Sequence, residues 1–265
     1  MTAEIRGRRA RSRVVEFHLD PDRGVAVLAV AAVVLLASSL GCQSLRHGLH
    51  VNFRGLASLQ GYLNVDAEGN IPSWFQSSLL LLCALTLWTT ADDARAVADR
   101  WARHWRLLAL VFGYLSVDEL VALHERADEP LHLLFGTSGA LLWAWVIAAV
   151  PAVVVFVLFF LSFLRALPRS TRLGLLLAGA FYVGGAIGAE MIGSYLFSTR
   201  GPDSFLYDLE ATVEEGMEIT GMLLLLFTVG RHTALHRTPA ARLQTTIDTR
   251  AAAREPRRTA RHGAR

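Results

Sequence analysis

The chain has 265 residues, 53% of them hydrophobic, with a mean hydropathy of +0.38 and a formal charge of +3. That is too apolar for an ordinary water-soluble domain, and several runs approach the roughly 20 apolar residues that span a bilayer. All of its strongly basic residues are Arg, and the absence of Lys excludes Schiff-base and other lysine chemistry.

The expected fold is all-α: a polytopic membrane protein of six transmembrane helices with both termini cytoplasmic. An Arg-rich arm over 1–23 carries Arg6, Arg8, Arg9, Arg11, Arg13 and Arg23. The first span covers about Gly24 to Gly41. Its end, Ala37 to Cys42, fits a lipoprotein cleavage box badly, and the run is long enough to cross, so an uncleaved helix is favoured. The connection from Cys42 to Ser73 holds Leu45, Leu49, Val51, Phe53, Leu56 and Leu59, enough for an interfacial helix. Oxygen-bearing Asn64, Asp66 and Glu68 before Gly69 partly follow a calcium loop, but Phe75 stands where its bidentate Glu belongs, which favours a plain turn leading into a helix.

The second span runs from about Trp74 to Ala91, the third from Leu107 to His124, the fourth from Gly139 to Leu164, the fifth from Leu173 to Phe197 and the sixth from Phe205 to Gly230. Trp74, Trp101 and Trp105 suit interfacial anchors. Arg95, Arg100, Arg103 and Arg106, then Arg165, Arg169 and Arg172, alternate with Arg-poor connections, which places both termini inside. The six spans thus form a domain over 24–230, followed by a disordered Arg-rich cytoplasmic tail over 231–265. The basic excess sits at two termini beside membrane spans, so the partners expected are the lipid bilayer and its anionic headgroups, and no nucleic acid. Cys42 and Cys83 are at different depths and should not form a disulfide.

The third, fifth and sixth spans carry the chemistry. Asp118, Glu119, His124 and Glu125 end the third; Glu190 lies in the fifth; Glu210, Glu214, Glu215 and Glu218 open the sixth. An ionised group at a bilayer centre costs roughly 2.5 to 3.5 kcal/mol even on the lenient scale, so such residues need a reason. Helix alternation puts all of them in the outer half of the membrane. At 100° per residue Asp118 and Glu125 share a face while His124 points elsewhere, and Glu210, Glu214 and Glu218 form one stripe with Glu215 on its flank. Gly184 and Gly188 offer the small-residue spacing that lets helix backbones touch and would bring Glu190 to its neighbours.

With no Arg in these spans, protons or a bound cation must neutralise the acids. A divalent metal fits the ligand set Asp118, Glu119, His124, Glu125, Glu190, Glu214, Glu215 and Glu218. The two Glu-x-x-His motifs of a ferritin-like di-iron bundle are not both present, since the chain has one, Glu129 to His132, and zinc hydrolysis would want more His than His124 and His132. The function expected is cation or proton binding, in a carrier or a metal-dependent membrane enzyme. The alternative is a structural or partner-binding protein whose protonated acids hold the helices together, with Glu125, Asp208 and Glu210 simply wet.

The strings Asp118-Glu-x4-His-Glu125, Gly188-Ala-Glu190 and Glu214-Glu-x2-Glu218, preceded by Asn70-Ile-Pro-Ser-Trp-Phe75, resemble those of a set of uncharacterised bacterial multi-pass membrane proteins. The resemblance covers about Asn70 to Gly230. It implies a shared architecture in the bacterial inner membrane and no particular reaction.

Overall fold

The structure, a computed structural model, describes residues 21–48 and 54–236. The Arg residues of the arm up to Arg13, the tail beyond 236, and Leu49, Val51 and Phe53 lie outside the described residues. Within them every regular element is helical: α1 (Pro21–Gly48), α2 (Arg54–Leu63), α3 (Ile71–Ala96), α4 (Ala102–Val121), α5 (Leu123–Phe135), α6 (Val146–Ala166), α7 (Arg169–Val183), α8 (Glu190–Arg200) and α9 (Phe205–His236). A 3₁₀ turn at Gly139–Leu141 precedes α6, and a π-helical stretch at Gly184–Ala189 joins α7 to α8.

Local chemistry explains where these helices begin. Asn70 caps α3 by accepting from the Ser73 backbone N–H at 3.1 Å while Ser73 Oγ accepts from the Asn70 N–H at 3.0 Å, with Pro72 in the first turn. This reciprocal cap satisfies donors that a helix start leaves unpaired. It makes 64–70 a capped lead-in, as the plain-turn reading expects. Asn64 Oδ1 accepts from Gln43 and Asp66 Oδ1 accepts from the Tyr207 hydroxyl, so two of the three oxygens of the calcium-like loop are committed to protein donors. The amphipathic segment in this connection is α2, which buries Leu56 and leaves Leu59 and Tyr62 exposed.

Among the described residues four stretches are long and apolar enough to cross a membrane: Asp22–His47, Ile71–Ala96, Val146–Ala166 and Arg169–Arg200. A fifth appears if α4 and α5 are taken as one span bent by 77°. Six is therefore more than the helices support on composition. The expected sixth, α9, is 32 residues long and continues past Gly230, but it is too polar to qualify. The fourth also differs: between Gly139 and Trp145 the chain is a 3₁₀ turn and loop, and α6 starts at Val146.

Pairings fix the helix directions. Ser77 bonds Ser116 near one end of α3 and α4, and Arg106 pairs with Asp92 at 2.5 Å near the other, so these two are antiparallel. Gln76 meets Glu215 and Thr90 meets Thr233, so α3 and α9 run parallel. His47 meets Asp208, which makes α1 antiparallel to α9. One end of the bundle thus gathers the arginines of α3, α4, α6 and α7; the other gathers the acids. The core between them includes Leu79, Leu80, Cys83 and Leu87 of α3 with Ile219, Met222, Leu226 and Val229 of α9. Both cysteines are free and buried. Trp74 is 64% exposed, as an anchor should be, whereas Trp105 is 1% exposed and packs edge-on against Phe163 at 4.9 Å, so it is a core residue and no anchor.

Between apolar helices in lipid, close backbone approach drives association more than the hydrophobic effect does. The glycines that permit it are Gly185 and Gly221. A Cβ on Gly221 would sit 2.7 Å from Ala178 O and Tyr182 N, and one on Gly185 would sit 2.9 Å from Glu214 O. Gly188, singled out from spacing, has nothing within 4 Å. The π-helical winding of 184–189 displaces residues from the 100° positions on which that expectation rests. We expect Gly221→Ala to cost about 1–3 kcal/mol through overpacking against backbone that cannot yield, and Gly188→Ala to cost nothing. Thermal melts of the purified variants read the difference.

Candidate functional site

The site begins at a break in a helix. Ala122 has φ 53° and ψ 51°, a left-handed conformation that costs a residue with a Cβ roughly 1–2 kcal/mol. There α4 stops and α5 leaves at 77°. Asp118 holds the corner by accepting from the His124 backbone N–H at 2.9 Å and pairing with His124 Nδ1 at 3.0 Å. A straight helix would have turned His124 away from Asp118; the break turns it back, which corrects the expected angle. Ala122→Gly should relieve the strain and raise the melting temperature by about 2–4 °C per kcal/mol gained. The same change inside a regular helix lowers it, so a lowered value would contradict the corner.

Glu68, which the expected ligand set omits, completes the mouth of the site. Its loop is pinned by Tyr207 to Asp66 at 2.7 Å, by Asn70 Nδ2 to Asn64 O at 2.6 Å, and by Val65 N to Ser39 Oγ at 3.2 Å. One ligand atom each from Glu68, His124 and Glu125 lies within 4.8 Å of the other two. Glu125 is exposed, the other two half-buried. Burial, with the carboxylates of Glu125 and Asp118, raises the Glu68 pKa to about 7. Asp66 is raised to about 6, again mainly by burial, although its hydrogen bond from Tyr207 opposes the rise.

Deeper in, the expected residues share one cavity of about 1260 Å³, lined by Asp118, Glu119, His124, Glu125, Glu190, Glu214, Glu215 and Glu218. Glu190 Oε1 accepts from Trp145 Nε1 at 3.0 Å, and Glu214 lies in hydrogen-bonding reach of Glu190. Glu215 accepts from Gln76 Nε2, while Gln76 Oε1 is buried without a partner. Ser194, one turn beyond Glu190, bonds Gly139 O and the Trp143 N–H and so holds the loop that delivers Trp145. Asp128 of α5 accepts from Trp145 N at 2.9 Å, tying the broken helix to α6.

The stripe on α9 divides. Glu214 and Glu218 line the cavity, whereas both Glu210 oxygens are buried without a partner. Asp208 is not wet: it is 8% exposed and pairs with His47 Nε2 at 2.8 Å. His132 bonds Thr137. The sequence shows Glu68 only as an acid in a loop that runs into a capped helix, and its direction toward the cluster follows from the fold.

The chain belongs to the family described as a domain of unknown function (DUF8692), whose model matches residues 23–233. No curated protein and no solved structure matches it.

Proposed function

We propose that this is a six-span inner-membrane protein, both termini cytoplasmic, whose acid end binds a divalent cation through Glu68, His124 and Glu125, and that it works as a metal-dependent membrane enzyme. The observation that carries the reading is the meeting of those three ligand atoms within 4.8 Å. The Asp118 contact supports it: a carboxylate on Nδ1 fixes the imidazole and leaves Nε2 for a metal, the arrangement usual behind ligating histidines. Oxygen ligands with one imidazole suit Mn²⁺ or Fe²⁺ better than a thiolate-seeking ion. In this reading Glu119, Glu190, Glu214, Glu215 and Glu218 hold protons or a further cation within the same cavity.

A carrier would need access from both faces. Toward the arginine end Phe163 and Trp105 are buried to 0% and 1% exposure, with His104 ring-stacked on Phe163, which favours a pocket served from one side. Helix-bonding acids alone would leave no cavity. Equilibrium dialysis of the detergent-solubilised chain against Mn²⁺ tests the reading. Wild type should retain the metal, and Glu68→Gln and Glu125→Gln should lose most of it; equal retention by all three would contradict the site.

A further inference from the structure

The cavity is two-natured. Among the described residues ten carboxylates line one part of it, with His124 the one lining side chain there able to carry positive charge. The rest is a trough walled by Phe112 and Leu115 of α4, Phe156 and Phe160 of α6, and Leu175 and Gly179 of α7. From Ala148 to Leu164 it follows α6 for about 24 Å at 1.5 Å per residue. That exceeds the roughly 15 Å of hydrocarbon in one leaflet, and the volume exceeds the roughly 300–1,000 Å³ of ordinary small-molecule sites.

The trough also has a way in. Only Val146, Phe160 and Phe163 of α6 are buried, so this helix meets the bundle near its ends. Between them, wall residues Tyr114, Val157 and Leu176 keep 58%, 47% and 47% of their surface. A lipid chain could slide between α4, α6 and α7 without leaving hydrocarbon.

We propose that the cavity takes an amphiphile with an ammonium head and one long apolar chain, the head held at Glu190 and Glu214 and the chain in the trough. Charge decides the head. A phosphate or sulfate among so many carboxylates would need several counter-cations, whereas an ammonium supplies the positive charge that the side chains lack. Aromatic faces favour the same choice: Trp145 is hydrogen-bonded to Glu190, and the Trp143 and Tyr207 rings lie 6.1 Å apart on the cavity wall. Rings beside carboxylates are the usual receptor for quaternary ammonium. This inference shares the membrane placement proposed above and does not depend on the metal.

Native mass spectrometry of the full chain in maltoside detergent, titrated with hexadecyltrimethylammonium, hexadecyl phosphate and tetramethylammonium, tests it. One hexadecyltrimethylammonium should bind saturably, with the phosphate and the chainless cation at least tenfold weaker. Glu190→Gln with Glu214→Gln should weaken the long ammonium at least tenfold, and so should Gly179→Phe, whose ring would enter the trough. Variants are compared only where their melting curves stay cooperative; Ala152→Phe, on the α6 wall of the same trough, replaces Gly179→Phe if that one does not. Equal binding of the phosphate, or indifference to the carboxylate or trough variants, overturns the proposal. Mn²⁺ uptake on the same samples separates the two readings. Metal retained without ammonium binding overturns this one alone, and ammonium binding without metal uptake supports it while overturning the metal site.

Discussion

Saturating Mn²⁺ should raise the melting temperature of the detergent-solubilised protein by about 5 to 10 °C at pH 7.5. A ligand that binds only the folded state at 100 times its dissociation constant stabilises by about 2.7 kcal/mol, and each kcal/mol moves the midpoint of a protein this size by about 2–4 °C. The three ligand atoms come from a loop, a helix start and the residue after it, and they converge only in the folded chain. His124→Ala should abolish the shift. Asp118→Asn should reduce it by weakening the hold on Nδ1. Changing Asp93, on α3 toward the arginine end, should leave it whole. An unchanged shift in His124→Ala would place the metal elsewhere.

The second large effect is a crossing of pH profiles. Without metal, Glu68 and Asp66 hold their protons more tightly folded, with pKa values of about 7 and 6, than at the ordinary 4.5 and 3.8. Groups raised on folding contribute stability that is complete below the unfolded pKa and disappears as pH rises through the folded one. In the presence of a chelator the melting temperature should therefore fall between about pH 4.5 and 7.5. With Mn²⁺ it should rise over the same interval, because the cation needs the carboxylates that protons vacate. Glu68→Gln should flatten the chelator profile near pH 7 and remove the metal-dependent rise. Parallel profiles with and without metal would mean that the cation and these protons do not compete.

Much of this site is legible from residues alone, for a physical reason. Helix alternation read from hydropathy leads to the expectation that Asp118, Glu190, Glu214 and Glu218 share one level, and the four do line one cavity. Angle is less secure because it presumes unbroken winding. Nothing about Ala122 announces a left-handed corner, since alanine is an ordinary helix former, and that corner is held by a local bond from the His124 N–H to Asp118, six residues back, which a continuous helix would not make. The π-helical turn before Glu190 has the same consequence for the glycines: small residues were visible, but which of them touch α9 depends on the local winding. Glu68 was hidden for a third reason. It lies on a connection, where periodicity gives no direction, and its position follows from hydrogen bonds to α1 and α9 made by its neighbours Asp66, Asn64 and Val65. The α9 acids show the limit of composition, because the same glutamates that build the cavity keep their helix from scoring as a span.

The most direct test of a metal held by His124 is electron spin-echo envelope modulation on the Mn²⁺-loaded protein. A nitrogen ligand couples its ¹⁴N nucleus to the manganese spin, and carboxylates and water do not. The account predicts ¹⁴N modulation from one imidazole in wild type and its loss in His124→Gln, which is measured at a manganese concentration high enough to load its weakened site. Manganese that shows no ¹⁴N modulation in wild type, or the same modulation in His124→Gln, would contradict it.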